Sequence, residues 1–180
     1  MSVTVYAPLS RFFHWLIAVF IVANFFFGLS LGELPLSPVK LQRITWHKWI
    51  GITILLLVSL RLINRLFSPP PLPEPAPNWQ IRSSTLVHLA MYFLMFAIPF
   101  SGWCISSAAG IPVVYLNLWE LPALLPKNKV WVDGLKELHE SLNIAMAGLV
   151  LVHVVAAFKH HLIDRDMTLV RMLPILRRRP

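Results

Sequence analysis

The sequence predicts an all-α integral membrane protein, a four-helix bundle with both termini cytoplasmic. Three observations lead there. Of 180 residues, 57% are hydrophobic and 13% charged, far below the roughly 25% charged residues of a soluble domain. The apolar residues gather into four runs, each long enough to cross a bilayer as a helix. Lysines and arginines collect at the ends of those runs, more of them on one side than on the other.

The first run, Phe12 to Leu31, contains no Asp, Glu, Lys or Arg, and about 20 apolar residues is what a helix needs to span the hydrocarbon core. It is too long for the apolar part of a signal peptide and lacks an A-x-A-like cleavage site, so it reads as a span. The second run, Trp46 to Phe67, is uncharged from Trp49 to Leu60 and ends with Arg61 and Arg65 placed to reach headgroups. After it, SPPPLPEPAPN (68–78) cannot continue a helix and is expected to form an extended, polyproline-like strap. No charge occurs between Arg82 and Glu120, more than one crossing requires. Span three is placed at Ser84 to Ser107, and Ile111 to Leu125, with Pro112, Tyr115, Trp119 and Pro122, reads as interfacial. Span four runs from Leu138 to His161 around an uncharged core, Ser141 to Phe158. No internal repeat or soluble domain interrupts residues 1–180, which are read as one domain.

Charge sets the expected direction. Arg11, Arg61, Arg65, Arg82, Lys159, Arg165, Arg171, Arg177, Arg178 and Arg179 fall on one side, and Lys40, Arg43, Lys48, Lys127, Lys129 and Lys136 on the other. Ten against six places both termini in the cytoplasm. The net charge of +8 follows from these flanks, so a membrane surface rather than nucleic acid is the expected partner.

Seven histidines occur, several inside spans, where an ionisable side chain is costly and marks a functional position. His139 and His153 are fourteen residues apart on one helix; at 100° per residue they point within about 40° of each other, roughly 21 Å apart along the axis. One helix thus offers two stacked ligands near opposite sides of the bilayer. Antiparallel topology puts His14 at the depth of His153 and His47 at the depth of His139. Two neutral imidazoles facing each other suit a haem iron, and filling both axial positions favours electron transfer over oxygen chemistry. Zinc fits poorly, since two-histidine sites leave it short of ligands. No C-x-x-C-H motif is present and Cys104 is the single cysteine, so haem would be held non-covalently, as haem b, and no disulfide framework exists.

Other residues fall at the same levels. Gly28 is fourteen residues after His14, Gly51 four after His47 and Gly102 fourteen after His88, each expected to leave room for a porphyrin, although small residues also serve helix packing. Arg61, fourteen after His47, reaches the inner haem's depth, where a propionate is its natural counter-ion. His88 lies at the depth of His14 and His153, so depth alone leaves three candidates for the inner pair. It is assigned as a hydrogen-bonding neighbour of the inner haem, to a propionate for example, rather than a ligand.

These residues sit in stretches that resemble the prokaryotic cytochrome b561 family of small di-haem, quinone-linked membrane proteins: RFFHW, WHKWIG with Arg61 downstream, H-x-x-M-Y followed by Pro99 and Gly102, LKELHESL, and LVHVVAAFKHH followed by DRDMTLVRMLP. The resemblance covers nearly the whole chain, and its C-terminal pattern is the most specific part. It implies ligation of the inner haem iron by His14 and His153 and of the outer by His47 and His139, with His88 a non-ligand. It implies a bacterial inner-membrane location, ubiquinone as one redox partner and, in one branch, oxidation of superoxide at the outer face. A second family with similar haems, the cytochrome b subunits of hydrogenases and formate dehydrogenases, implies instead an anchor whose donor is a periplasmic protein. The short chain and the DRDMTLVRMLP tail favour the first.

Two peripheral groups complete the expectation. Lys159, His160, His161 and Arg165 follow the inner ligand and are placed to meet a quinone carbonyl or carry its protons, or simply to form a basic cytoplasmic flank. On the outer side the six basic residues are nearly balanced by Glu33, Glu120, Asp133, Glu137 and Glu140. A subset near the outer haem, Lys48, Lys127 and Lys129, is expected to hold propionates and to steer a small anionic donor.

Overall fold

The computed structural model describes residues 5–176. Arg177, Arg178 and Arg179, counted above among the cytoplasmic charges, lie outside the described residues. Four long apolar helices account for most of the chain: α1 (Pro8–Gly32), α2 (Pro38–Phe67), α3 (Asn78–Ala109) and α4 (Lys129–Lys159). Each is long and apolar enough to cross a membrane.

Local chemistry sets where they begin and end. Pro8 and Pro38 occupy first-turn positions, where the missing N–H costs nothing. The Ser37 side chain accepts from the Lys40 backbone N–H (3.3 Å), and Asn128 Oδ1 accepts from Val130 N (3.0 Å), capping α2 and α4. The helix α3 stops at Gly110, whose φ of +71° is a conformation glycine adopts without steric cost. There the Gly110 and Ile111 N–H groups return to the Ser107 and Ser106 carbonyls (both 2.9 Å), the pattern of a left-handed helix stop.

Between α3 and α4 the interfacial segment folds into a two-stranded antiparallel hairpin, β1 (Val113–Tyr115) and β2 (Trp119–Leu121), with Tyr115 opposite Trp119. This is a small addition to the all-α expectation. Its turn places Leu116 and Asn117 at positive φ. The hairpin is pinned to α2 by Trp49 Nε1 donating to the Val114 carbonyl (2.7 Å) and by Thr53 Oγ1 with the Tyr115 hydroxyl (3.0 Å).

In the bundle α1 packs on α2, α2 on α3 and α3 on α4. Along α3 the small side chains Ser101, Ser106, Ser107 and Ala108 are all buried, as expected where packing replaces the hydrophobic drive between membrane helices. A central apolar cluster draws Ile17, Ile54, Val58, Leu94, Met95 and Met146 from all four helices. Large side chains such as Val19, Phe26, Phe93 and Leu151 face outward and remain exposed, where lipid covers them. Beyond α4 comes a π-helical turn, His160–Asp164, then a short helix α5 (Thr168–Met172). This tail folds back on the start of α1, where Trp15 Nε1 donates to the Met172 carbonyl (3.3 Å).

Candidate functional site

The fold brings four of the sequence-predicted histidines together as two pairs. His14 from α1 faces His153 from α4 with ring centroids 6.2 Å apart. His47 from α2 faces His139, also from α4, at 6.3 Å. We call the end with His14, His153 and α5 inner, and the other outer. Met146, at the middle of α4, separates the pairs within the apolar cluster.

These separations can be tested against a shared ion. An imidazole nitrogen binds a first-row metal at about 2.0–2.1 Å and lies about 1.1 Å from its ring centre, so two rings flanking one ion have centres about 6.3 Å apart. Both pairs meet that figure. His88 on α3 also approaches His153, but at 5.4 Å between ring centres, too close for the two rings to flank an ion in line. Geometry therefore separates His88 from the opposed pairs, which depth along the sequence could not do.

The outer pair is closely supported. A Cβ at Gly28 would come within 3.0 Å of His47 Cε1, and one at Gly102 within 3.3 Å of His139 Cε1. These two glycines make room for the imidazoles themselves. Gly51 has nothing within 4 Å of its Cβ position. His47 Nδ1 is one of four buried side-chain polar atoms without a hydrogen-bond partner among the described residues. His139 Nδ1 lies 2.8 Å from the Ser101 hydroxyl. Sequence reasoning missed Ser101, whose only signal was its place beside Gly102, because serine inside a membrane helix is more often a packing residue.

The inner pair has a basic surround. Arg61 Nη1 lies 3.1 Å from His14 Nδ1, and the Arg61 and Arg65 guanidinium groups sit 5.6 and 5.9 Å from the centre of the Tyr92 ring. A pocket opens beside them, lined by Ser10, Asn64 and Tyr92 as well as the two arginines, with no acidic side chain in its wall. Such a site suits a carboxylate or another anionic group.

The residues after α4 are engaged with one another. His160 Nδ1 is 2.6 Å from Asp166 Oδ2 and 3.1 Å from Asp164 Oδ2, and Lys159 Nζ pairs with Asp164 at 2.6 Å. Asp166 Oδ1 also accepts from the Thr168 N–H (2.8 Å). Arg165, at φ +56°, links this turn to α5, and His161 is half-buried within it. On the outer side three lysines make local contacts. Lys40 Nζ donates to the Leu34 carbonyl (2.7 Å), Lys136 pairs with Asp133 (3.0 Å), and the Lys127 stem lies along Gly110.

Four apolar helices with opposed histidine pairs between them define a class, the membrane-embedded b-type cytochromes that carry electrons. Sequence comparison gives the family: residues 5–174 match the pattern described as prokaryotic cytochrome b561. The chain belongs to that family and is a multi-pass bacterial membrane protein that binds b-type haem. It is 36% identical to cytochrome b561 homolog 2 of Escherichia coli (strain K12) over 93% of this chain and 90% of that one. It is 29% identical to cytochrome b561 homolog 1 of the same organism, covering 91% and 93% of the two chains. Against the probable superoxide oxidase CybB of Yersinia pestis it is 29% identical, covering 94% and 96%.

Proposed function

We propose that this chain carries two haems b, one between His14 and His153 and one between His47 and His139, and moves electrons through the bacterial inner membrane between an outer donor and ubiquinone. The observation that carries this reading is the pair of 6.2 and 6.3 Å ring separations at opposite ends of one helix. When bound, each haem supplies an iron that takes up and releases one electron at a time. The protein's contribution would be to hold each haem between one histidine pair, keep water away through the apolar layer around Met146, and fix the two sites about 21 Å apart along α4.

At the inner site Arg61 only donates, so in its contact with His14 Nδ1 the imidazole is the acceptor. A His14 that gives Nε2 to iron carries its proton on Nδ1, and Arg61 then needs another acceptor. The haem propionate is the acceptor we assign to it, with Arg65 beside it. His88 remains next to His153 as a neighbour of the inner haem.

Ubiquinone is assigned to the inner end. Lys159 and His160 are tied to Asp164 and Asp166, so His160 has Nε2 left to hold or pass a proton, and His161 is its half-buried neighbour. At the outer end the donor is a small anion, with superoxide the candidate, because one relative of nearly equal length is described as a probable superoxide oxidase. Two superoxide anions give two dioxygen molecules and two electrons, which with two protons reduce one quinone. We place both termini in the cytoplasm on the basic-residue excess.

Anaerobic stopped-flow reduction of the purified chain tests this, with small donors tried in turn and ubiquinone added afterwards. Rapid haem reduction by superoxide, followed by reoxidation by quinone, is expected. Reduction only by a copurifying periplasmic metalloenzyme would overturn it in favour of the anchor reading.

A further inference from the structure

The His139 contact with Ser101 has a direction that can be worked out from proton bookkeeping. Ser101, only 6% exposed, has its Oγ 2.8 Å from the Ile98 carbonyl oxygen and 2.8 Å from His139 Nδ1. Two oxygens at that distance need a proton between them, a carbonyl can only accept, and a hydroxyl has one proton to give. The serine proton is therefore spent on Ile98. Toward His139 the same oxygen presents a lone pair, so Nδ1 carries the imidazole hydrogen and Nε2 the free lone pair. Gly102 sits against the same Nδ1–Cε1 edge of the ring, which leaves the Nε2 edge clear.

We propose that Ser101 is a positioning residue that holds His139 in its Nδ1–H tautomer and lowers the reduction potential of the outer haem. The proposal rests on His139 being a ligand of that haem. A hydrogen bond accepted from Nδ1–H makes the imidazole a stronger donor, and a stronger donor favours ferric over ferrous iron. Among the described residues no hydroxyl is paired with His14 or His153; His14 Nδ1 has the Arg61 guanidinium beside it.

The test is a redox titration of the full-length, haem-loaded protein, followed optically, with the outer component identified as the one missing from His139→Ala. Ser101→Ala is expected to shift that component to higher potential by roughly tenfold in its reduction equilibrium, about 59 mV for a one-electron couple. The inner component should not move, and Ser101→Thr, which keeps the hydroxyl, should titrate like the unaltered protein. If Ser101→Ala loses the outer haem and Ser101→Thr restores it, the proposal also stands. An unshifted outer component in Ser101→Ala, equal shifts of both haems, or a threonine variant that behaves like alanine would overturn it. Retention of both haems in His139→Ala would instead defeat the ligand assignment beneath it.

Discussion

An alanine at Gly28 would bring its Cβ to 3.0 Å from His47 Cε1, tighter than nearly all such contacts, so the ring would have to give way slightly. We expect Gly28→Ala to weaken outer-haem binding roughly tenfold, as loss of a ligand's support commonly does, while inner-haem absorbance stays. Gly102→Ala, at 3.3 Å from His139, should have the same effect to a smaller degree. Gly134→Ala, with nothing within 4 Å, should leave both haems bound, and haem titration of the three variants checks the order. The outer pair was legible in the sequence because helical periodicity and antiparallel depth are both fixed by backbone geometry, whereas at the inner level depth alone left His88 beside His14 and His153. The glycines were legible as positions at the level of the histidines but not as supports for particular rings, and Ser101 was not legible at all. Which side chain lies against which depends on how neighbouring helices are rotated, and residue spacing along one helix does not encode that.

At the scale of elements, the apolar spans were readable because charges are excluded from lipid. Hydropathy stops at the membrane edge, however, whereas α2 already begins at Pro38, where the Ser37 cap and Pro38 start it. The hairpin was read only as interfacial because its Pro112 and Pro122 frame and its tryptophan suggested a surface loop, although the β-branched and aromatic run VVYLNLWEL carried a strand signal. The proline-rich strap is held down by Arg171, which pairs with Glu74 and donates to the Leu72 carbonyl. Arg171→Ala should free it, at a cost of about 1.5–3 kcal/mol for a charge-assisted contact, read as faster proteolysis within residues 68–78. Asp166 closes the turn after α4. Burial alone would raise its carboxyl, but the hydrogen bonds from the Thr168 backbone and side chain and from His160 outweigh it and hold it below the usual carboxylate range. A depressed folded-state value means the clasp's stability is present above the unfolded value and is lost as pH falls through the folded one. Asp166→Asn should therefore expose Arg165 to trypsin severalfold faster at neutral pH; an unchanged cleavage rate would show that the turn is held by something else.

For the whole molecule, the excess of basic residues beside one set of helix ends predicts that reporters fused after residue 180 are active on the cytoplasmic side. Activity on the periplasmic side would invert the assignment of inner and outer sites. Electrostatic steering is the second consequence. Lys40 and Lys136 are engaged by Leu34 and Asp133, which leaves Lys129, exposed at the start of α4, as the better probe. Haem reduction by superoxide should slow as salt shortens the screening length toward about 8 Å and below, and should slow further in Lys129→Glu. A rate indifferent to both would mean that the outer charges serve only structure or a protein donor.

The central claim, two haems each held by one opposed histidine pair, is tested most directly by counting haem against polypeptide with the pyridine haemochrome. Our account predicts two haems b per chain in the unaltered protein, one in His153→Ala and one in His139→Ala. A single haem in the unaltered chain, or two retained in either variant, would contradict it.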